Sequence, residues 1–192
     1  MNKKKTIILF ALLSIVFAGS AFSLMMKLSL GELVTNADVI ITGKVVEKEC
    51  KWEGKWIYTY LSISVDEYIK GNGERKVIVR HPGGEVGKKG LKVGNMPSFK
   101  KGEEVLVFLK RTDSNSLTAL ENENTSKAYE VSGLAQGKYD IFADETGTKI
   151  VGNNFSNLFT NEMKIIDEEM LPRKPLSKFI SEIMEVLEKC EE

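Results

Sequence analysis

The chain has 192 residues, in which 27 basic side chains balance 27 acidic ones, with one histidine and two cysteines. That length fits one domain with a hydrophobic core and is short for two. The balanced, interspersed charge gives no reason to expect nucleic acid or an anionic membrane as a partner. One histidine and two distant cysteines lack the spacing of zinc ligands, so we expect no metal and no cofactor.

Residues 1–23 have the layout of a secretory signal peptide. Lysines at positions 3–5 precede an apolar run, and residues 21–23 offer a cleavage site. We therefore expect a secreted or extracytoplasmic protein that starts at Leu24. Its net charge is then near −3, from 24 basic and 27 acidic residues. The alternative is an uncleaved N-terminal membrane anchor, because no charge interrupts residues 6–26. After signal cleavage we predict no membrane contact.

A short helix is the first element predicted after the leader. Ser29 and Glu32 have the spacing of a capping box, in which the serine caps the helix and the glutamate reaches back. Leu33 and Val34 follow on one face, and the helix is predicted to end near Asn36.

Two long alternating stretches come next. From Asp38 the period is two, which predicts a strand with one buried side, formed by Val39, Ile41, Gly43 and Val45. A turn at Glu53-Gly54 and a second alternating stretch over residues 56–68 predict a long antiparallel hairpin.

The remaining strands are predicted to be short. They are expected at residues 77–79, 103–109, 129–131, 138–143 and 148–151, the last two forming a hairpin. Residues 103–109 are nearly all apolar, so that strand is predicted to be central. Residues 81–101 form a glycine-rich connection, and a loop of that length usually has a structural or functional task. Residues 112–127 are polar and predicted to be a surface loop.

The chain is predicted to end in an amphipathic helix. Leu176, Phe179, Ile183 and Leu187 recur at helical spacing. We divide the chain into a signal peptide (1–23), a β-domain (24–152) and an irregular segment with the helix (153–192). The predicted fold is mainly β: a small closed OB-like antiparallel β-barrel with a short N-terminal helix and a C-terminal amphipathic helix. A two-sheet sandwich is the alternative.

The order of several segments carries a family resemblance. Residues 36–46, the lysine-glycine turn at 69–71 and the strand with its preceding glycine at 102–109 resemble netrin-like domains, which include the tissue inhibitors of metalloproteinases. With residues 82–85, 96–97 and 133–137 added, the pattern also looks like uncharacterised secreted proteins of bacteria and archaea.

The resemblance implies an OB-type barrel and, as one possible role, inhibition of a secreted metalloprotease. Those inhibitors place an N-terminal cysteine amine on the protease zinc. The mature start expected here, Leu24 to Lys27, contains no cysteine, so the resemblance does not carry that mechanism.

Four aromatic residues cluster around the predicted hairpin turn: Trp52, Trp56, Tyr58 and Tyr60. The last three project from one face of a strand, as in a platform for a peptide or sugar. The alternative is that the C-terminal helix covers this platform with Phe179 and Ile183.

His81 and Glu85 are the best acid–base candidates in the chain, because a histidine beside a carboxylate titrates near neutrality. No nucleophile motif accompanies them, so we assign no catalytic residue and predict that the protein is not an enzyme. The other interpretation is a turn at Gly83-Gly84 with Glu85 capping backbone amides. Both residues are retained as candidate binding residues.

Cys50 and Cys190 are the two cysteines. An oxidising compartment favours a disulfide between them, whereas a frayed C-terminal tail leaves two free thiols. Both alternatives stay open.

The sequence therefore favours a secreted, non-enzymatic domain that binds an extracytoplasmic protein or polymer. An inhibitor or accessory partner of a secreted metalloprotease is the alternative, implied by the resemblance. A hydrolase that uses His81 and Glu85 is a third hypothesis.

Overall fold

The computed structural model describes residues 27–112, 128–153 and 173–191. The predicted signal peptide, most of the predicted 112–127 loop and much of the irregular segment before the last helix lie outside the described residues. The expectations of secretion, of cleavage before Leu24 and of a possible membrane anchor stay predictions.

Two α-helices lie at the ends of the described chain, α1 (Leu30–Asn36) and α2 (Leu176–Glu191). The predicted capping box at α1 is confirmed. The Glu32 backbone N–H donates to Ser29 Oγ at 3.2 Å, and the Ser29 backbone N–H donates to Glu32 Oε2 at 2.7 Å. Neither helix is long and apolar enough to cross a bilayer, among the residues that the structure describes.

The molecule is mainly β, as predicted. Its strands are β1 (Val39–Glu53), β2 (Trp56–Lys70), β3 (Lys76–Pro82), β4 (Gly84–Val86), β5 (Lys89–Leu91), β6 (Glu104–Arg111), β7 (Tyr129–Val131), β8 (Lys138–Ala143), β9 (Lys149–Gly152) and β10 (Lys174–Pro175). A short 3₁₀ helix, Leu134–Gly137, precedes β8.

The main sheet runs in the order β1-β2-β3-β7-β6-β8-β9-β10, and β1 also pairs with β6. The pairings from β1 through β2, β3, β7 and β6 therefore return to β1. All are antiparallel except β3 with β7, which are parallel and in register at Val79 and Tyr129. The predicted central strand is confirmed: β6 lies between β1 and β8, and Val105 to Leu109 are fully buried.

The hydrophobic core has two parts. The first lies on the inner side of the ring of strands β1, β2, β3, β7 and β6. It includes Val39, Ile41, Val45, Leu61, Ile63, Phe99 and Val107. The second joins the other side of the sheet to the two helices and includes Val34, Ile40, Leu106, Phe108, Phe179 and Ile183. The prediction that β1 has one buried side is therefore wrong for its first half. Ile40 and Ile41 are both fully buried, because the helices cover the second side.

The glycine-rich connection contains a small hairpin, β4–β5, that the sequence did not predict. This hairpin packs on the inner side of β1 and β2. A Cβ added at Gly84, where φ is +129°, would lie 2.7 Å from Cys50 Sγ and 2.6 Å from Thr59 Oγ1. Only glycine permits so close an approach in that backbone conformation.

Candidate functional site

The long β1–β2 hairpin displays an aromatic face. Its two-residue turn pairs Glu53 directly with Trp56, and the register then alternates along both strands. Directly opposite residues share a side of the sheet, and Tyr60 lies opposite Arg80 of β3. We call the outer surface formed by Trp56, Tyr58, Tyr60, Glu53 and Arg80 the aromatic face.

Trp52 does not belong to the aromatic face. It lies opposite Ile57, whose side chain is buried on the inner side, so it projects from the other side of the hairpin. There it stands beside the β4–β5 hairpin, with Lys89 Nζ 5.8 Å from its ring centroid. The structure therefore divides the predicted group of four aromatic residues between two sides.

Arg80 is the buried anchor of the aromatic face. Only 5% of the residue is exposed, and its Nη2 atom donates to Glu53 Oε2 at 2.6 Å. Its guanidinium lies 3.7 Å from the ring centroid of Tyr58, and Glu130 of β7 is 3.8 Å from Nη1. The ion pair and the stacked ring compensate the removal of the guanidinium charge from water.

Tyr60 completes this network, because its hydroxyl donates to Glu53 Oε1. Burial raises the pKa of Tyr60 to about 12, and the neighbouring Glu53 carboxylate contributes to the same shift. The phenol therefore stays protonated near neutral pH and keeps its hydrogen bond. Tyr58 and Tyr60 are thus fixed in place before any ligand arrives.

Helix α2 does not cover the aromatic face. Phe179 packs against Tyr139 in a tilted ring pair with centroids 4.7 Å apart, and Ile183 packs in the helix-side core. Trp56 is left 56% exposed, while Tyr58 and Tyr60 are half-buried by their contacts with Arg80 and Glu53. Burial under α2, one of the two alternatives for this platform, is not what the structure shows.

A cleft of about 300 Å³ adjoins the aromatic face. Its lining includes Tyr58, Arg80, Pro82, Met96, Pro97 and Leu134. Leu134 is 37% exposed and has a φ of +57°, a conformation that is rare for a bulky side chain. The cleft thus combines apolar walls with one buried cation and with the exposed carboxylate of Glu130.

His81 lies at the inner side of β3 and contributes to this cleft. Its Nδ1 atom is 3.1 Å from the Pro82 carbonyl oxygen, so the neutral ring carries its proton there and presents Nε2 as an acceptor. Burial lowers the pKa of His81, and the nearby Lys48 acts in the same direction. The ring is therefore held neutral. It stacks on Phe99, with the two ring centroids 6.2 Å apart.

Glu85 lies exposed on β4. Among the residues that the structure describes, no hydrogen bond or ion pair joins it to His81 or to a backbone amide. The acid–base pair needed by the hydrolase hypothesis is thus not assembled, and Glu85 does not cap the turn either. Gly83 and Gly84 do form the bend between β3 and β4, both with positive φ.

Both cysteines are free thiols in the structure. Cys50 Sγ lies 3.4 Å from Thr59 Oγ1 under the β4–β5 hairpin, whereas Cys190 Sγ lies 4.0 Å from Thr35 Oγ1 of α1. The disulfide alternative is not formed, because the two thiols pack against different elements.

A second charged cluster lies under the loop before β6, and the sequence did not indicate it. Lys138 is 7% exposed, with Nζ 2.5 Å from Asp140 Oδ1 and 3.1 Å from Glu103 Oε1. The cluster borders a cleft of about 690 Å³. Within residues 27–112, 128–153 and 173–191, no three His, Cys, Asp or Glu side chains gather as a metal site requires.

No protein-family model and no curated protein matches the chain in sequence. The resemblance to netrin-like domains therefore stays a prediction, and so do the functions it implies.

Proposed function

We propose that the chain is a secreted, non-enzymatic domain that binds an extracytoplasmic protein or polymer through the aromatic face. The observation that carries this proposal is the exposed Trp56 beside Tyr58 and Tyr60, which are held rigidly and left uncovered by α2. Exposed aromatic surface of this kind is enriched where proteins meet their ligands.

The strand pairings support a barrel frame for this surface. The strands β1, β2, β3, β7 and β6 pair in a ring that returns to β1, which supports a five-stranded barrel of the OB type. Barrels of that type bind extended ligands on the surface of their second and third strands. Here β2 carries the aromatic residues and β3 carries Arg80.

The chemistry of the aromatic face suits an extended ligand with apolar and polar parts. Trp56 offers ring area, and the cleft beside Tyr58 offers room for a side chain or a sugar ring. Glu130, whose side chain is 49% exposed, offers a hydrogen-bond acceptor at the rim. Because Arg80 and Tyr60 already have partners, little side-chain entropy is lost when a ligand binds.

Secretion is the second part of the proposal. Its support is the layout of residues 1–23, with lysines before an apolar run and small residues at the expected cleavage site. Determination of the N-terminal residue of the exported protein tests it. We expect Leu24.

The binding proposal is tested by capture from the native envelope fraction. Immobilised wild type is compared with Trp56→Ala, and with Met184→Ala as a control that removes another exposed large apolar side chain, from α2. We expect a partner retained by wild type and by Met184→Ala and depleted about tenfold or more by Trp56→Ala. Equal recovery with all three proteins would reject the aromatic face as the binding surface.

A further inference from the structure

We propose that the tip of the long hairpin docks on an anionic membrane surface. The hairpin tip is defined here as Trp52, Lys55 and Trp56 at the β1–β2 turn, with Lys88 and Lys89 at the β4–β5 turn. This inference goes beyond the proposed function, because Trp52 and the two lysines of the β4–β5 turn lie outside the aromatic face.

Both tryptophans of the chain lie at this tip. Trp52 is 44% exposed, and it projects from the opposite side of the hairpin to Trp56. The last residues before the turn extend past the neighbouring strands: β6 stops pairing with β1 at Lys44, and β3 stops opposite Tyr58, two residues from the start of β2 at Trp56. Two large amphipathic rings thus lie on opposite sides of the end of the hairpin.

The two hairpin turns lie together. Lys89 Nζ is 5.8 Å from the ring of Trp52, which brings the β4–β5 turn alongside the β1–β2 turn. Lys55, Lys88 and Lys89 are exposed, and no ion pair to another described residue involves them. They are the cationic groups of the described tip that have no carboxylate partner.

The acidic groups near the tip are mostly engaged. Glu53 binds Arg80 and Tyr60, and Glu49 pairs with Lys51 at 2.9 Å. Glu85, exposed on β4, is the remaining carboxylate near the two turns. The local charge is therefore positive, although the whole chain is neutral and the expected mature chain slightly negative. This uneven distribution is the reason to depart from the expectation, drawn from the overall charge, of no membrane contact.

Tryptophan flanked by lysine is the combination that favours a membrane interface. Indole rings settle at the level of the lipid headgroups, and lysines extend to the anionic phosphates. The surface potential of an anionic leaflet then attracts each lysine of the tip. A flat protein surface would engage one side of the hairpin, whereas a bilayer surrounds both tryptophans at once.

Intrinsic fluorescence tests the proposal directly, because both reporters are at the tip. The protein, in the form that the cell exports, is titrated with vesicles of phosphatidylglycerol and phosphatidylcholine in equal parts, and with vesicles of phosphatidylcholine alone. Trp52→Phe and Trp56→Phe each leave one reporter. We expect a blue shift and quenching by brominated lipid for both remaining tryptophans, with the anionic vesicles only.

Charge variants supply a second readout with a matched control. Lys88→Glu with Lys89→Glu is expected to weaken partitioning about tenfold or more. Lys100→Glu with Lys101→Glu makes the same change near Val45, about 25 Å along the hairpin, and is expected to alter it less than about twofold.

Two results would overturn the proposal. One is an unchanged emission spectrum with anionic vesicles, under conditions in which the protein is shown to be folded by circular dichroism. The other is a shift of Trp56 alone, with Trp52 remaining in water, which would assign the contact to the aromatic face. Neither result bears on capture of a partner protein or polymer, because lipid is the only ligand present.

Discussion

At the scale of single residues, Arg80 organises the aromatic face. Its guanidinium and the Glu53 carboxylate are both largely buried, with side-chain exposures of 6% and 19%. Arg80→Ala leaves that carboxylate without its cation, and removing one member of a buried pair costs about 3 kcal/mol or more. Urea unfolding monitored by circular dichroism measures the loss in free energy of unfolding.

The control for Arg80 is Lys76, a cationic residue of the same strand whose ion pair lies at the surface. Lys76 pairs with Glu47 at 2.8 Å, but both side chains are at least half exposed. Lys76→Ala is therefore expected to cost less than about 1 kcal/mol. Similar losses for the two variants would contradict the account of a buried anchor.

His81 predicts how stability depends on pH. Its pKa in the folded protein is below the ordinary value of 6.5, chiefly because the ring is buried. The unfolded chain therefore binds the proton more readily. The stability that the protein has with His81 neutral is therefore fully present above about pH 6.5, and part of it is lost as the pH falls below that value.

The comparison of wild type with His81→Gln isolates this effect. Free energies of unfolding are measured in urea at about pH 7.5 and about pH 5.5. We expect wild type to lose more stability on acidification than the variant does. An equal loss would show that the ring is not held neutral by burial.

At the scale of elements, the local signals in the sequence were sufficient for α1 and for the β1–β2 and β8–β9 hairpins. Ser29 and Glu32 are three residues apart, so their capping box is readable from the sequence. The pairing of Arg80 with Glu53 spans 27 residues and has no local signal. The position of Trp52 was readable in principle, because a two-residue turn pairs Glu53 with Trp56 and so places Trp52 on the opposite side.

The β4–β5 hairpin escaped prediction because its strands have three residues each and glycine lies in both. Its docking depends on Gly84. Gly84→Ala is expected to cost about 3 kcal/mol, because φ is +129° and Cys50 and Thr59 leave no room for a Cβ.

Gly54 is the matched control for Gly84. It also has a positive φ, +58°, but nothing lies within 4 Å of a Cβ built there. Gly54→Ala is expected to cost about 1 kcal/mol, measured by the same unfolding experiment. A Gly84→Ala protein as stable as Gly54→Ala would contradict the close packing of the small hairpin.

At the scale of the whole molecule, helix α2 completes the second core and leaves the aromatic face uncovered. The sequence predicted the helix but not the surface that it covers. The alternation along β1 indicated only one buried side, and therefore no second side for a helix to cover. Phe179→Ala removes a ring that is 3% exposed and is expected to cost about 3 to 5 kcal/mol. Met184→Ala on the same helix is expected to stay within about 0.5 kcal/mol of wild type.

The Phe179→Ala variant also tests whether α2 packs on the second core or covers the aromatic face. Loss of stability with unchanged tryptophan emission is expected, because the helix lies away from Trp52 and Trp56. A red shift of the emission in the still-folded variant would mean that α2 covers the aromatic face.

The proposed contact between the aromatic face and a partner outside the cytoplasm can be tested in the native compartment. A photo-cross-linking amino acid is placed at position 56, or at the exposed position 184 of α2, and cells are irradiated with the protein in its native compartment. We expect a discrete covalent adduct from position 56 and none of that size from position 184. No adduct at position 56, or the same adducts from both positions, would contradict it.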